Sequence, residues 1–100
     1  MSFIDRQILE AERKGFYFSA VTLELVRARA EVLARRAGRS EPSLVDVACA
    51  AYAARDHFRF QLDQLAAGGS LAELGADQTL GELSACEQLI ATLRAHGVAP

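Results

Sequence analysis

The sequence predicts an all-α fold, a small antiparallel bundle of four main helices. Three observations carry that expectation. Ser or Thr stands three residues before an acid at Ser2/Asp5, Ser43/Asp46, Ser70/Glu73 and Thr79/Glu82. This is the spacing of a capping box, in which the hydroxyl takes an orphan backbone N–H and the acid reaches back. Glycines punctuate the chain where apolar runs stop, at Gly38, Gly68-Gly69 and Gly97. Nineteen Ala, thirteen Leu and ten Arg give high helix propensity, and no long stretch alternates at period two.

The elements follow in order. A first helix is expected over 3–14 and a second over 17–37, with Gly15 breaking or kinking the chain between them. Arg35 and Arg36 suit the C-terminus of the second helix, where cations face the negative end of the helix dipole. Pro42 falls in the next connection, where it does no harm. A third helix is expected over 43–66 and a fourth over 80–96, with a short helical turn at 71–74. The fourth has one apolar stripe, Leu83, Cys86, Leu89, Ile90 and Leu93. The third is apolar on two sides. Leu44, Ala48, Ala51, Phe58, Leu62 and Leu65 form one face, Val45, Cys49 and Tyr52 widen it, and Phe60 lies about 200° from Phe58. At roughly 34 Å it is expected to be the longest helix, and either central or covered by a second chain.

One hundred residues make one domain, 1–100, and a domain this short has little spare burial. The net charge of −2 weighs against nucleic acid and against anionic membranes. The first half carries eight basic and seven acidic residues, the second three and six. The start of the chain, Met1-Ser2-Phe3-Ile4-Asp5, does not read as a secretory leader, and no run reaches the length of a membrane span. A cytoplasmic location follows as an expectation, with Cys49 and Cys86 reduced. The excess of Ala, and of Arg over the single Lys14, points to a GC-rich bacterial genome.

Chemistry-bearing residues are few. Arg55, Asp56, His57, Arg59 and Asp63 form the densest polar cluster, with Arg55, Arg59 and Asp63 on an i, i+4, i+8 ridge and Arg59 paired to Asp63. A phosphotransfer histidine is followed in its family by a small or apolar residue, Leu or Ile, a basic residue and Gly. Here the run is His57-Phe58-Arg59-Phe60-Gln61, with the basic residue one place early and no Gly. Arg55-x-His57 and Arg94-x-His96 are too closely spaced for the Arg–spacer–His arrangement of helical RNases. The two Cys and two His make no metal-ligand spacing, so no metal and no cofactor are expected. Arg27, Arg29, Arg35, Arg36 and Arg39 crowd the end of the second helix, but Arg27, Arg29 and Arg36 are read as pointing in different directions, a set of surface charges and not one stripe.

Phe16-Tyr17-Phe18 is the strongest functional signal. Three consecutive aromatics span about 200° of a helix, so one core face does not bury all of them. Aromatics with Arg are the common anchors of interfaces. The leading expectation is therefore a non-catalytic protein–protein interaction module, an adaptor, regulator or dedicated chaperone. It associates as a homodimer, or with another protein, through Phe16, Tyr17, Phe18 or Phe60. The alternative is a small-ligand or catalytic bundle centred on Arg55, His57 and Arg59, with Asp56 or Asp63 orienting them, a phosphotransfer-like role included. An open surface around His57 favours the first, and a deep polar pocket favours the second.

Overall fold

A computed structural model describes residues 2–67 and 72–99, with the side chains of Phe18 and residues 72–74 excepted. It is 82% helix without strands among these residues. The helices are α1 (Phe3–Arg13), α2 (Tyr17–Arg36), α3 (Leu44–Ala66) and α4 (Ala72–Ala95).

Local chemistry sets most of the boundaries. Ser2 caps α1, its Oγ accepting from the Asp5 N–H at 3.3 Å. The same hydroxyl donates to the Asp5 carboxylate at 2.7 Å, so the acid bonds the cap side chain. Gly15 ends α1 in the left-handed region at φ +80°. Its N–H donates to the Glu12 carbonyl and the Phe16 N–H to the Ala11 carbonyl, a Schellman motif. That motif makes position 15 a true break, because only Gly holds such a φ without strain. Gly38 and Gly97 close α2 and α4 by the same pair of hydrogen bonds. Ser43 and Asp46 form a complete capping box at the start of α3.

The fourth helix departs from expectation. It begins at Ala72, eight residues before position 80, and residues 72–74 are its first turn, not a separate one. Thr79 is no cap. It is buried inside the helix, its hydroxyl donating to the Gly75 carbonyl one turn back at 2.8 Å. A capping-box spacing inside a continuous helix is then a coincidence of sequence. Ser70 and Gly68-Gly69 lie outside the described residues.

The core is built from Ile4 and Ile8 of α1, Ala20, Leu23, Val26 and Ala30 of α2, Val47, Ala48, Ala50 and Ala51 of α3, and Leu89, Ile90 and Leu93 of α4. α3 and α4 pack most extensively, and α2 touches all three other helices. α2 is therefore a hub of the bundle, and α4 at 24 residues is longer than α3 at 23, which was expected to be the longest. α3 is buried on a wide arc in its first half, where Ala48, Ala50 and Ala51 are all fully covered, while Phe60 in its second half is left to solvent.

Two charged contacts tie elements together. Asp46, buried at the head of α3, accepts from the Ser43 N–H at 2.9 Å and from both terminal nitrogens of Arg39, the residue just past the C-cap of α2. Arg39, with help from the Ser43 backbone, holds the Asp46 carboxyl well below the usual carboxylate range. Asp5 of α1 takes the Arg27 guanidinium of α2 at 2.8 Å. Its carboxyl is held down by the Ser2 hydroxyl first and by Arg27 second. Two of the five arginines near the end of α2 are thus structural.

Candidate functional site

The outer face of α2 leaves a row of apolar side chains in water. The helix carries two apolar rows. One is the buried row, Ala20, Leu23, Val26, Ala30 and Ala34, joined by Thr22. The other runs Val21, Leu25, Ala28 and Val32, alternating steps of four and three residues. At about 100° per residue these four lie within about 60° of one another, nearly opposite the buried row. Val21 is 52% and Leu25 56% exposed, Ala28 is exposed, and Val32 is half-buried. Position 18 continues the row one step toward the N-terminus. Tyr17, 73% exposed, flanks that end, and Leu9 is exposed on α1, the helix beside it.

The row has charged margins. Glu24 and Glu31 lie along one side, Arg29 and Arg36 along the other, and all four are exposed. Among the described residues none of the four enters an ion pair within the chain. Arg29 and Arg36 are seven residues apart and so point within about 20° of one another. Grouping them with Arg27, which turns inward to Asp5, hides this. The signal was in the sequence all along, as spacings of three and four on a helix whose inner face repeats a second apolar row.

The aromatic corner is partly as expected. Phe16 and Tyr17 are both exposed, and Phe16 lines a cleft between α1, α2 and α4 with Leu23, Ala85 and Leu89 beneath it and Lys14 and Gln88 near by. The side chain of Phe18 lies outside the described residues. Phe60 is 63% exposed on α3 while Phe58, two residues before it, is 7% exposed in the core. Phe60 and the α2 row belong to different helices.

The polar cluster of α3 is reorganised relative to its sequence reading. Arg59 pairs with Glu87 of α4 at 3.2 Å, not with Asp63 on its own helix. Arg55 bonds Asp56 at 3.0 Å and lies 4.5 Å from the centre of the Tyr52 ring. Arg94 of α4 approaches the same ring at 5.6 Å. Arg55, Arg59 and Arg94 line one shallow groove with Glu87 and Ile90. His57 and Asp63 are exposed and do not line it, so the structure does not bring the five residues to one point. His57 sits on open surface.

The thiols are separated in character. Cys86 is fully buried, and burial pushes its pKa up to about 11. Cys49 is half-buried. Among the described residues no three His, Cys, Asp or Glu converge in a way that holds a metal ion, and no helix is long and apolar enough to cross a membrane. No family model, curated protein or solved structure matches the chain.

Proposed function

We propose that this domain is a non-catalytic protein–protein interaction module that docks through the outer face of α2. One observation carries the reading: Val21 and Leu25, with Tyr17 at the end of their row, are more than half exposed on the helix that is also a hub of the bundle. Contiguous exposed apolar surface on a small domain marks a binding site more often than scattered apolar residues do. Placing it on a helix that packs against the three others supports a fixed docking face, because a rigid surface loses little freedom on binding. The open surroundings of His57 point the same way.

A photo-crosslinking amino acid at position 25, expressed in cells that make the protein, tests this. Adducts to a protein at position 25, and far fewer with the crosslinker at the exposed position 63, support the reading. Equal or absent adducts at the two positions overturn it.

A second reading rests on the α3–α4 groove. Three guanidiniums, Arg55, Arg59 and Arg94, share it with the single carboxylate of Glu87. Such a groove suits a small molecule with several negative charges. Titration with inorganic pyrophosphate, followed by amide shifts around these residues, supports this reading if they move saturably and removes it if they do not.

A further inference from the structure

We infer that the occupant of the α2 face is a second copy of this chain, paired helix to helix in parallel register about a two-fold axis. The inference rests on the interaction reading above and adds the partner and its orientation.

The argument is one of charge and period. Position 18, Val21, Leu25, Ala28 and Val32 fall on alternating steps of three and four, the seam of a two-stranded coiled coil. In that frame position 18, Leu25 and Val32 take the first core position of each heptad, and Val21 and Ala28 the second. Glu24 and Glu31 then precede the first core position, Arg29 follows Ala28 at the second, and Arg36 follows Arg35, which takes the next second position where the apolar seam ends. In a parallel pair the residue at the former site meets the residue five places later on the partner helix. Glu24 therefore meets Arg29 of the other copy, and Glu31 meets Arg36. Two-fold symmetry repeats both, which makes four interchain ion pairs beside the seam. An antiparallel pair brings Glu against Glu and Arg against Arg along its two margins. Within the chain the cation nearest Glu24 by sequence is Arg27, which is already held by Asp5, and Glu31 makes no ion pair with Arg35 one turn on. The four charged side chains of the two margins thus meet partners of opposite sign in a parallel second copy and of like sign in an antiparallel one.

The geometry leaves room for it. Val26 and Ala30 of the buried row face the body of the bundle, and Asp5 on Arg27 places α1 against a third side of α2. The row itself is left to solvent between these contacts. Ala28, small, lets the two α2 backbones approach closely at the middle of the seam. With only two heptads, the dimer is expected to be micromolar and reversible.

Sedimentation equilibrium from micromolar to several hundred micromolar tests the inference on four samples: wild type, the double variant Glu24→Arg with Glu31→Arg, the double variant Arg29→Glu with Arg36→Glu, and a one-to-one mixture of the two variants. Wild type is expected to dimerise. Each variant alone turns four attractive pairs into repulsive ones and weakens association by roughly a hundredfold. The mixture restores it. All substitutions are at exposed positions, and circular dichroism checks that the helices remain. Should either double variant fail to fold, Glu24→Gln with Glu31→Gln takes its place, with a several-fold weakening expected. A wild type that stays monomeric throughout, or charge variants that dimerise as wild type does, overturns the inference. Crosslinks from position 25 to a different protein, together with a monomeric wild type, leave the interaction reading standing and remove only the second copy.

Discussion

Replacing Phe58 and Phe60 by Ala, one at a time, separates the two sides of α3. The two residues share one helix, one side-chain type and one end of the domain, so their difference isolates burial. Phe58 is 7% exposed and packs within the core. Truncating a buried Phe costs the transfer of the ring and the cavity it leaves, about 3–5 kcal/mol in well-packed interiors. Phe60 is 63% exposed, so about a third of its surface is covered. Full burial of such a side chain contributes about 1.5–3 kcal/mol, so a third contributes about 0.5–1 kcal/mol. Water fills the space, leaving no cavity, and the better helix propensity of Ala returns about 0.5 kcal/mol. The net change at Phe60 is expected to be under about 0.5 kcal/mol. Urea denaturation reads both values. In thermal melts the Phe58 variant is expected to fall by ~14–24 °C and the Phe60 variant by a few degrees at most. Equal losses would refute the orientation of α3 described above. A concentration-dependent loss confined to Phe60→Ala would move the interface from α2 to α3.

Three further outcomes follow from particular atoms. Thr22 is fully buried and among the described residues its hydroxyl has no hydrogen-bond partner, so Thr22→Val is expected to stabilise by about 1 kcal/mol in urea titrations, and a loss of stability would show that the hydroxyl is satisfied. Gly81 lies inside α4 with open space where an alanine methyl would stand, nothing lying within 4 Å of it, so Gly81→Ala is expected to gain about 1 kcal/mol, seen as a higher melting temperature. Asp46 has a folded pKa below its unfolded one. Its contribution is therefore complete above the ordinary carboxylate range and is lost as pH falls through and below it. Asp46→Asn is expected to lower the urea midpoint at pH 7 and to flatten its fall in acid, and an unchanged acid slope would assign that fall to other carboxylates such as Asp5.

Much of the fold was legible from local chemistry. Ser2 and Ser43 announce the starts of α1 and α3, and Gly15, Gly38 and Gly97 announce three ends, because caps and Schellman turns involve neighbours in sequence. The start of α4 was not legible. Gly75 lies inside the helix, where an added Cβ would stand 3.5 Å from a methyl of Leu65 across the α3–α4 contact, and such packing overrides propensity. Thr79 has the spacing of a cap and the position of a core residue. The ion pairs from Arg59 to Glu87 and from Arg27 to Asp5 span 28 and 22 residues and depend on how helices dock. Of the site, the consecutive aromatics signalled that at least one of them escapes the core, and Phe16 and Tyr17 are exposed. The α2 row was not foreseen, because attention to consecutive aromatics and to arginine clusters obscures a period of three and four. A helix that is apolar on two sides declares itself only when one side is known to be occupied.

The central claim is that two copies of α2 meet in parallel, and an isotope-filtered NOE experiment on a one-to-one mixture of labelled and unlabelled chain tests it most directly. Such spectra report only contacts between chains. In parallel register Val21 lies opposite Val21 and Val32 opposite Val32 of the other copy, so the Val32 methyls are expected to show interchain contacts to Val32 and none to Val21. Contacts from Val32 to Val21 would mean an antiparallel pair and contradict the charge argument. A spectrum without interchain contacts at concentrations of several hundred micromolar would remove the dimer altogether.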